Sequence, residues 1–132
     1  MWSFFTALTL AGLALGQNIP VPPLPYNMGA LNPFLSEHAL RIHHLGHHAS
    51  YTFQLNNVLE RMRWDPALKH LAKMGVDELL HNLHEVPEAQ RDDVRRAGGG
   101  FVNHDLFWKV LSPWGGHKPS PESQTIQVRD CH

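Results

Sequence analysis

The stretch between Ser36 and Pro66 constrains this chain more than any other. Ser36 is a residue type that caps helix N-termini and Glu37 suits the first helical turn, after which apolar residues recur at helical spacing through Leu40, Tyr51, Leu55, Val58 and Met62. Asp65 precedes Pro66, and a residue before proline avoids the helical region, so the pattern predicts one long helix over about 36–63. Further on, "PALKHLAKMG" opens with Pro66 and stops at Gly75, and "VDELLHNLHEV" stops before Pro87; each predicts a helix, and another is expected from Pro87 toward Leu111. No run alternates with a strand's period of two and no repeat is present, so the expected class is all-α. Ahead of Ser36, "NIPVPPLPY" carries four prolines, which fix backbone angles and remove donors, so residues 17–35 are expected to form an extended arm.

Composition narrows the function classes. A formal net charge of -1 over 132 residues, with 11 Lys+Arg against 12 Asp+Glu, points away from nucleic acid and from anionic membrane surfaces. The apolar share of 42% is enough for a core. A lone Cys131 excludes an internal disulfide and a cysteine-built zinc site. The apolar run from Phe4 to Leu15 is shorter than the roughly 20 residues a membrane span needs. With Ala14 and Gly16 as small residues ahead of Gln17, residues 1–16 are expected to be a secretory signal, which places the mature protein outside the cell and off the membrane. The alternative is a mitochondrial presequence, which should be Arg-rich, whereas the first arginine here is Arg41.

Histidine is the anomaly, at 11 residues, and "RIHHLGHHASY" holds four of them. At about 100° per residue, His43, His47 and Tyr51 fall on one stripe roughly 80° wide, joined by Gln54, with His44 and His48 on the adjoining flank. Imidazoles one turn apart can clamp a divalent ion, or one can bind metal while the next manages protons beside it. A histidine on a half-buried helix is as often a packed residue with satisfied nitrogens, and spacing alone leaves both readings open. The second cluster is "AGGGFVNHDLFW", in which His104 and Trp108 share a helix face and Phe101 and Phe107 add apolar bulk. Burial among aromatics favours neutral imidazole, the form that ligates metal, although alone this cluster reads as a core histidine. Gly98, Gly99 and Gly100 sit inside the expected helix at a cost of about 1 kcal/mol each relative to alanine, which signals a defect, a kink or a close approach.

Taken together, "LPYNMGALNPFLSEHALRIHHLGHHASYTFQLNN" and "AGGGFVNHDLFWKVLSPWGG" resemble the N-terminal half of the manganese/iron superoxide dismutase family, over roughly residues 24 to 119. The resemblance implies a long antiparallel helical hairpin, with short extra helices at its tip, as the domain over 36–116. It implies His43 and His104 as metal ligands, His47 and Tyr51 as the catalytic pair of the substrate channel and proton relay, and Trp108 as an aromatic wall of the pocket. It implies manganese, with iron as the alternative; Gly100, where iron-type members often carry glutamine, and the second histidine, His44, lean toward manganese. The substrate implied is superoxide, disproportionated to oxygen and hydrogen peroxide. Such chemistry needs a metal that alternates between two oxidation states, which zinc does not do, and nitrogen and oxygen ligands suit manganese or iron. By the same analogy the glycine run lets two helices approach near the metal.

The family completes its site with an aspartate and a histidine in an Asp-x-Trp-x-His stretch of a C-terminal α/β domain, and this chain contains no such stretch. Residues 117–132 form a divergent, polar tail, expected to be disordered, in which Asp130 and His132 have the wrong spacing to replace it. The chain thus reads as a truncated member with half the metal ligands, whose apolar surface is open to self-association into a homo-oligomer or to another partner. Two rivals stand beside it. One is an inactive truncated isoform or a secreted, non-enzymatic protein that binds divalent ions loosely through residues such as His70, His81 and His84. The other is a ferritin-like di-iron bundle, for which Glu78 to His81 provides only one of the two Glu-x-x-His steps required.

Overall fold

In a computed structural model, residues 18–115 are described. The expected leader over 1–16 and the tail over 117–132, with Asp130, Cys131 and His132, lie outside the described residues. Those described contain helices and turns with no strand, in accord with the all-α expectation. Helix α1 runs Glu37–Ile42, a π-helical segment follows at His43–His48, and α2 runs Ala49–Trp64. After short turns, α3 covers Val76–His81 and α4 covers Glu88–Val110.

The local chemistry explains the ends. The Ser36 side chain accepts from the Ala39 N–H, satisfying one of the orphan donors of the first turn. At the other end Asp65 is extended, as its proline neighbour requires, and α2 stops at Trp64. Pro87 occupies the position before α4, where its missing N–H costs nothing. The stretch 36–63 is therefore helical as expected, but not as one uniform α-helix.

Two contacts fix the direction of packing. Arg61, near the end of α2, pairs with Asp93 near the start of α4, while His48, before the start of α2, meets Trp108 near the end of α4. The two rods therefore run antiparallel, as a hairpin. Between them Leu55, Val58, Leu59 and Met62 of α2 pack with Val94 and Ala97 of α4. Leu68, Leu71, Leu79 and Val86 extend this core under the tip. Fully burying such a side chain stabilises by about 1.5–3 kcal/mol, so these residues outweigh the weak propensity of the glycine-bearing helix. A second, smaller core at the opposite end joins Leu31, Leu40 and Trp108, flanked by Leu24, Tyr26, Met28 and Phe107.

The segment from Pro66 to Gly75 departs from the predicted helix: it forms turns and one short 3-10 turn at Leu71–Lys73. A piece this short is marginal as an isolated helix, and burying both Leu68 and Leu71 against the hairpin decides its path instead. The helix expected over "VDELLHNLHEV" likewise ends at His81, where Asn82 leaves the helical region and a 3-10 turn takes over at Leu83–Glu85.

Of the arm expected to be extended over 17–35, the proline-rich part over 18–24 is free of turns and lies along the hairpin, whereas residues 28–34 fold into turns, with Ala30 bonded back to Asn27 and Leu35 to Leu31. Asn56 grips its backbone with two bonds, accepting from the Ile19 N–H and donating to the Ile19 carbonyl, each at 2.8 Å. The His44 Nε2–H donates to the Pro22 carbonyl at 2.7 Å, which gives this buried histidine a structural task. An extended proline segment leaves its carbonyls unpaired, and these side chains supply the partners.

Candidate functional site

The π segment creates the site. In an α-helix His43 and His48 would sit about 140° apart around the axis. Here the Ala49 N–H reaches back five residues to the His44 carbonyl, and the widened turn swings His48 into the hairpin interior. His48 is completely buried, and its Nδ1 accepts the Trp108 indole N–H at 3.0 Å. The sequence reading put His48 on the flank adjoining the stripe and gave it no task; the structure buries it against Trp108. A histidine pair at i and i+5 is the signal that could have revealed it.

His43 and His104, 61 positions apart in the chain, converge from the two rods with ring centroids 4.9 Å apart. His43 also meets the edge of Trp108 at 4.9 Å and Phe107 at 5.1 Å. Tyr51 lies 5.2 Å from His104, and the exposed His47 lies 5.8 Å from His43. His38, His43, His47, Tyr51, His104, Ala39 and Ile42 line one open cleft of about 540 Å³. The four site residues named from sequence are thus gathered around one cleft. Trp108 stands behind His43 rather than in the cleft lining, and Gln54 faces a separate polar groove with Asn57, Arg61 and Asp93. His38, at the cleft edge, was not singled out by the sequence reading.

Hydrogen bonds set the tautomers. The His104 Nδ1 lies 2.7 Å from the Gly100 carbonyl. A carbonyl only accepts, so Nδ1 carries a proton, and in the neutral ring the lone pair is then on Nε2, the arrangement that backbone carbonyls impose on metal-binding histidines. His43 is held below the usual histidine pKa by burial, then by the neighbouring His104 and His47, which favours the neutral form that can ligate. Burial, with His104 and His44 adding to it, lowers His48 to about 4. In donor type, a pair of imidazole nitrogens suits a manganese or iron centre. In number they are short of one: among the described residues no group of three or more His, Cys, Asp or Glu is placed to hold a metal ion.

The glycine run has a steric explanation. A Cβ added at Gly100 would lie 2.2 Å from Tyr51 Cδ1, so only glycine lets the phenol ring lie against α4 beside His104. Gly98 sits under Leu80, whereas Gly99 faces open space.

The remaining histidines are elsewhere. His70 and His84 are exposed, with Nε2 atoms 3.6 and 3.9 Å from the Glu85 carboxylate. Glu78 and His81 are also exposed, and the His81 Nδ1–H donates to the Asp77 carbonyl. That Glu-x-x-His step therefore faces solvent, contrary to what a di-iron bundle needs. No helix among the described residues is long and apolar enough to cross a membrane.

Residues 19–112 match the family model described as iron/manganese superoxide dismutases, alpha-hairpin domain. The chain is 43% identical over 98 residues to superoxide dismutase (Mn) 1 of Leptolyngbya boryana, covering 74% of this chain and 37% of that protein. It is 41% identical over 99 residues to the superoxide dismutase (Mn) of Pseudomonas aeruginosa, covering 75% of this chain and 45% of that protein. Against the superoxide dismutase (Mn/Fe) of Methylomonas sp. the identity is 41% over 99 residues, 75% of this chain and 46% of that protein. The chain thus matches these relatives over less than half of their length. With the hairpin, the paired imidazoles and the matched span all in agreement, the chain belongs to the iron/manganese superoxide dismutase family.

Proposed function

We propose that this chain supplies the histidine half of a manganese centre, with iron as the alternative, that disproportionates superoxide to oxygen and hydrogen peroxide. The observation that carries the reading is the convergence of His43 and His104 at 4.9 Å, with the His104 Nδ1–H engaged by the Gly100 carbonyl, which leaves Nε2 as the ligating nitrogen of the neutral ring. When bound, the metal supplies the alternation between two oxidation states that takes an electron from one superoxide and returns it to the next. The protein's own groups do the rest. His43 and His104 hold the ion as neutral nitrogens, and Gly100 fixes the tautomer of His104. That Tyr51 and His47 both line the cleft supports a role for them in passing protons there, since a phenol and an imidazole can each donate and accept. Trp108 and Phe107 pack against His43, and such apolar rings would strengthen the polar interactions beside them.

Two nitrogens hold a metal weakly, because stable centres use three or four protein ligands in fixed geometry. The remaining ligands of the proposed centre come from outside the described residues. The test is Mn²⁺ titration of the purified chain, followed by electron paramagnetic resonance, with superoxide consumption measured on the same samples. Weak binding that disappears in His43→Ala and in His104→Ala, and persists in His70→Ala and His84→Ala, supports the reading. Binding that follows His70 and His84 instead would establish the loose, non-enzymatic alternative. Superoxide consumption above that of free Mn²⁺, lost in the same two variants, would extend the proposal to catalysis by this chain itself.

The apolar run from Phe4 to Leu15 and the small residues before Gln17 support export of the protein. The expected mature N-terminus is Gln17, read by sequencing protein recovered from culture medium. Recovery from mitochondria would favour the presequence alternative.

The described surface exposes Ile42, Leu45, Phe53, Leu106 and Val110, apolar side chains that support pairing with another copy or with a further domain. Sedimentation of the purified chain at rising concentration reads the self-association.

A further inference from the structure

His48 is completely buried, yet one of its two nitrogens has no partner among the described residues. Its Nδ1 accepts the Trp108 indole N–H at 3.0 Å, so Nε2 must carry the proton, and it is that Nε2–H that stands unpaired. A leucine would fill much of the same space without an orphaned donor, which makes imidazole a costly choice for mere packing. What imidazole offers there and leucine does not is an acceptor for the indole and a flat face. Both are used: the His48 ring stacks on His104 at 5.3 Å with only 14° between the planes, and the indole it holds abuts His43 edge-on at 4.9 Å.

We propose that His48 is the positioning residue for the paired imidazoles, fixing His43 through the indole of Trp108 and His104 through its own ring face. It touches neither the cleft nor anything bound there, since the cleft lining does not include it. The inference rests on the reading of His43 and His104 as metal-facing, but its mechanical content is separate. The π turn is what places His48 within reach of both partners, so the unusual backbone at His43–His48 and the buried histidine form one device.

The experiment compares His48→Asn, which retains an acceptor near the Nδ1 position, with His48→Leu, which retains bulk alone. In the metal-free chain, ¹⁵N–¹H correlation of the histidine rings reads the tautomers and hydrogen exchange of the Trp108 indole reads its bond. The wild-type chain is expected to show a single Nδ1–H tautomer for His104 and a protected indole, whereas His48→Asn, which keeps the acceptor but not the ring face, is expected to keep the protected indole alone. His48→Leu is expected to show mixed tautomers at His104 and an indole exchanging at least tenfold faster, with helix content unchanged. Mn²⁺ affinity should fall about tenfold in His48→Leu, the scale on which outer partners of metal ligands act, and by a smaller factor in His48→Asn, which keeps the indole link alone. The proposal is overturned if His48→Leu leaves His104 and the indole as they are in the wild type, or if the indole of His48→Asn exchanges as fast as that of His48→Leu. Should His48→Leu fail to fold, Trp108→Phe decides the indole link, because removal of that donor must loosen the His43 ring as read by its line width, and an unchanged His43 refutes it. A wild-type chain that binds no Mn²⁺ would defeat the metal reading, while the ring and indole signals would still decide the role of His48.

Discussion

Gly98, Gly99 and Gly100 offer three alanine substitutions on one helix with different outcomes. Each replacement gains about 1 kcal/mol of helix propensity. At Gly99 nothing lies within 4 Å of the added Cβ, so the gain stands alone. At Gly98 the Cβ meets Leu80 Cδ2 at 3.1 Å, a methyl at the end of a flexible side chain, and the two effects roughly cancel. At Gly100 the Cβ falls 2.2 Å from Tyr51 Cδ1 and 2.5 Å from both Cγ and Cε1. Carbon contacts normally lie at about 3.5 Å or more, so the ring must retreat by at least roughly 1.3 Å. Overpacking costs about 1–3 kcal/mol, and a clash at three ring atoms belongs at the upper end, leaving a net loss of about 2 kcal/mol. At about 4 °C per kcal/mol for a domain near 100 residues, the midpoint should rise by about 4 °C for Gly99→Ala and fall by about 8 °C for Gly100→Ala. Circular dichroism melts of the metal-free chain read both. Repeating Gly100→Ala in a Tyr51→Ala background removes the obstacle, and there the substitution should stabilise by about 1 kcal/mol. A Gly100→Ala chain that melts above the wild type, or a penalty that persists without the Tyr51 ring, would refute the steric reasoning.

Three further outcomes follow from the described contacts. His48 has an ordinary pKa of 6.5 when unfolded and about 4 when folded, so protons bind the unfolded chain preferentially; its contribution is intact above pH 6.5 and is lost as pH falls toward 4. The loss reaches roughly 3 kcal/mol, His43 acts in the same direction, and urea melts across that window should show a flatter pH dependence in His48→Asn. Asn56→Ala removes both bonds to Ile19, and at about 0.5–1.5 kcal/mol each the arm should loosen, read as faster exchange of the Ile19 amide while the α2 amides stay protected. Leu55 is fully buried between the rods, so Leu55→Ala should cost about 2–5 kcal/mol in chemical denaturation, whereas Phe53→Ala, on the exposed face two residues away, should stay within about 0.5 kcal/mol.

Much of the frame was legible in the chain itself. Ser36 and the Asp65–Pro66 step mark both ends of the first rod because capping and the proline clash act within a few residues of themselves. The "AGGGFVNHDLFW" run read as helix with a defect, a kink or a close approach at its glycines, and both the close approach and the pairing of His43 with His104 were expected from family resemblance. What the chain did not announce was the π turn, the burial of His48, the lock on His104 by Gly100, and the collapse of residues 66–75 into turns. These share one cause. Shifting a backbone bond from the fourth residue to the fifth, or a short helix to a turn, changes the local energy little, so the choice passes to contacts made across the hairpin. The bond between His48 and Trp108 spans 60 positions of sequence, and the burial of Leu68 and Leu71 depends on a core contributed by both rods. Such contacts exist only once the rods have met, and a pattern read along one strand of sequence cannot contain them.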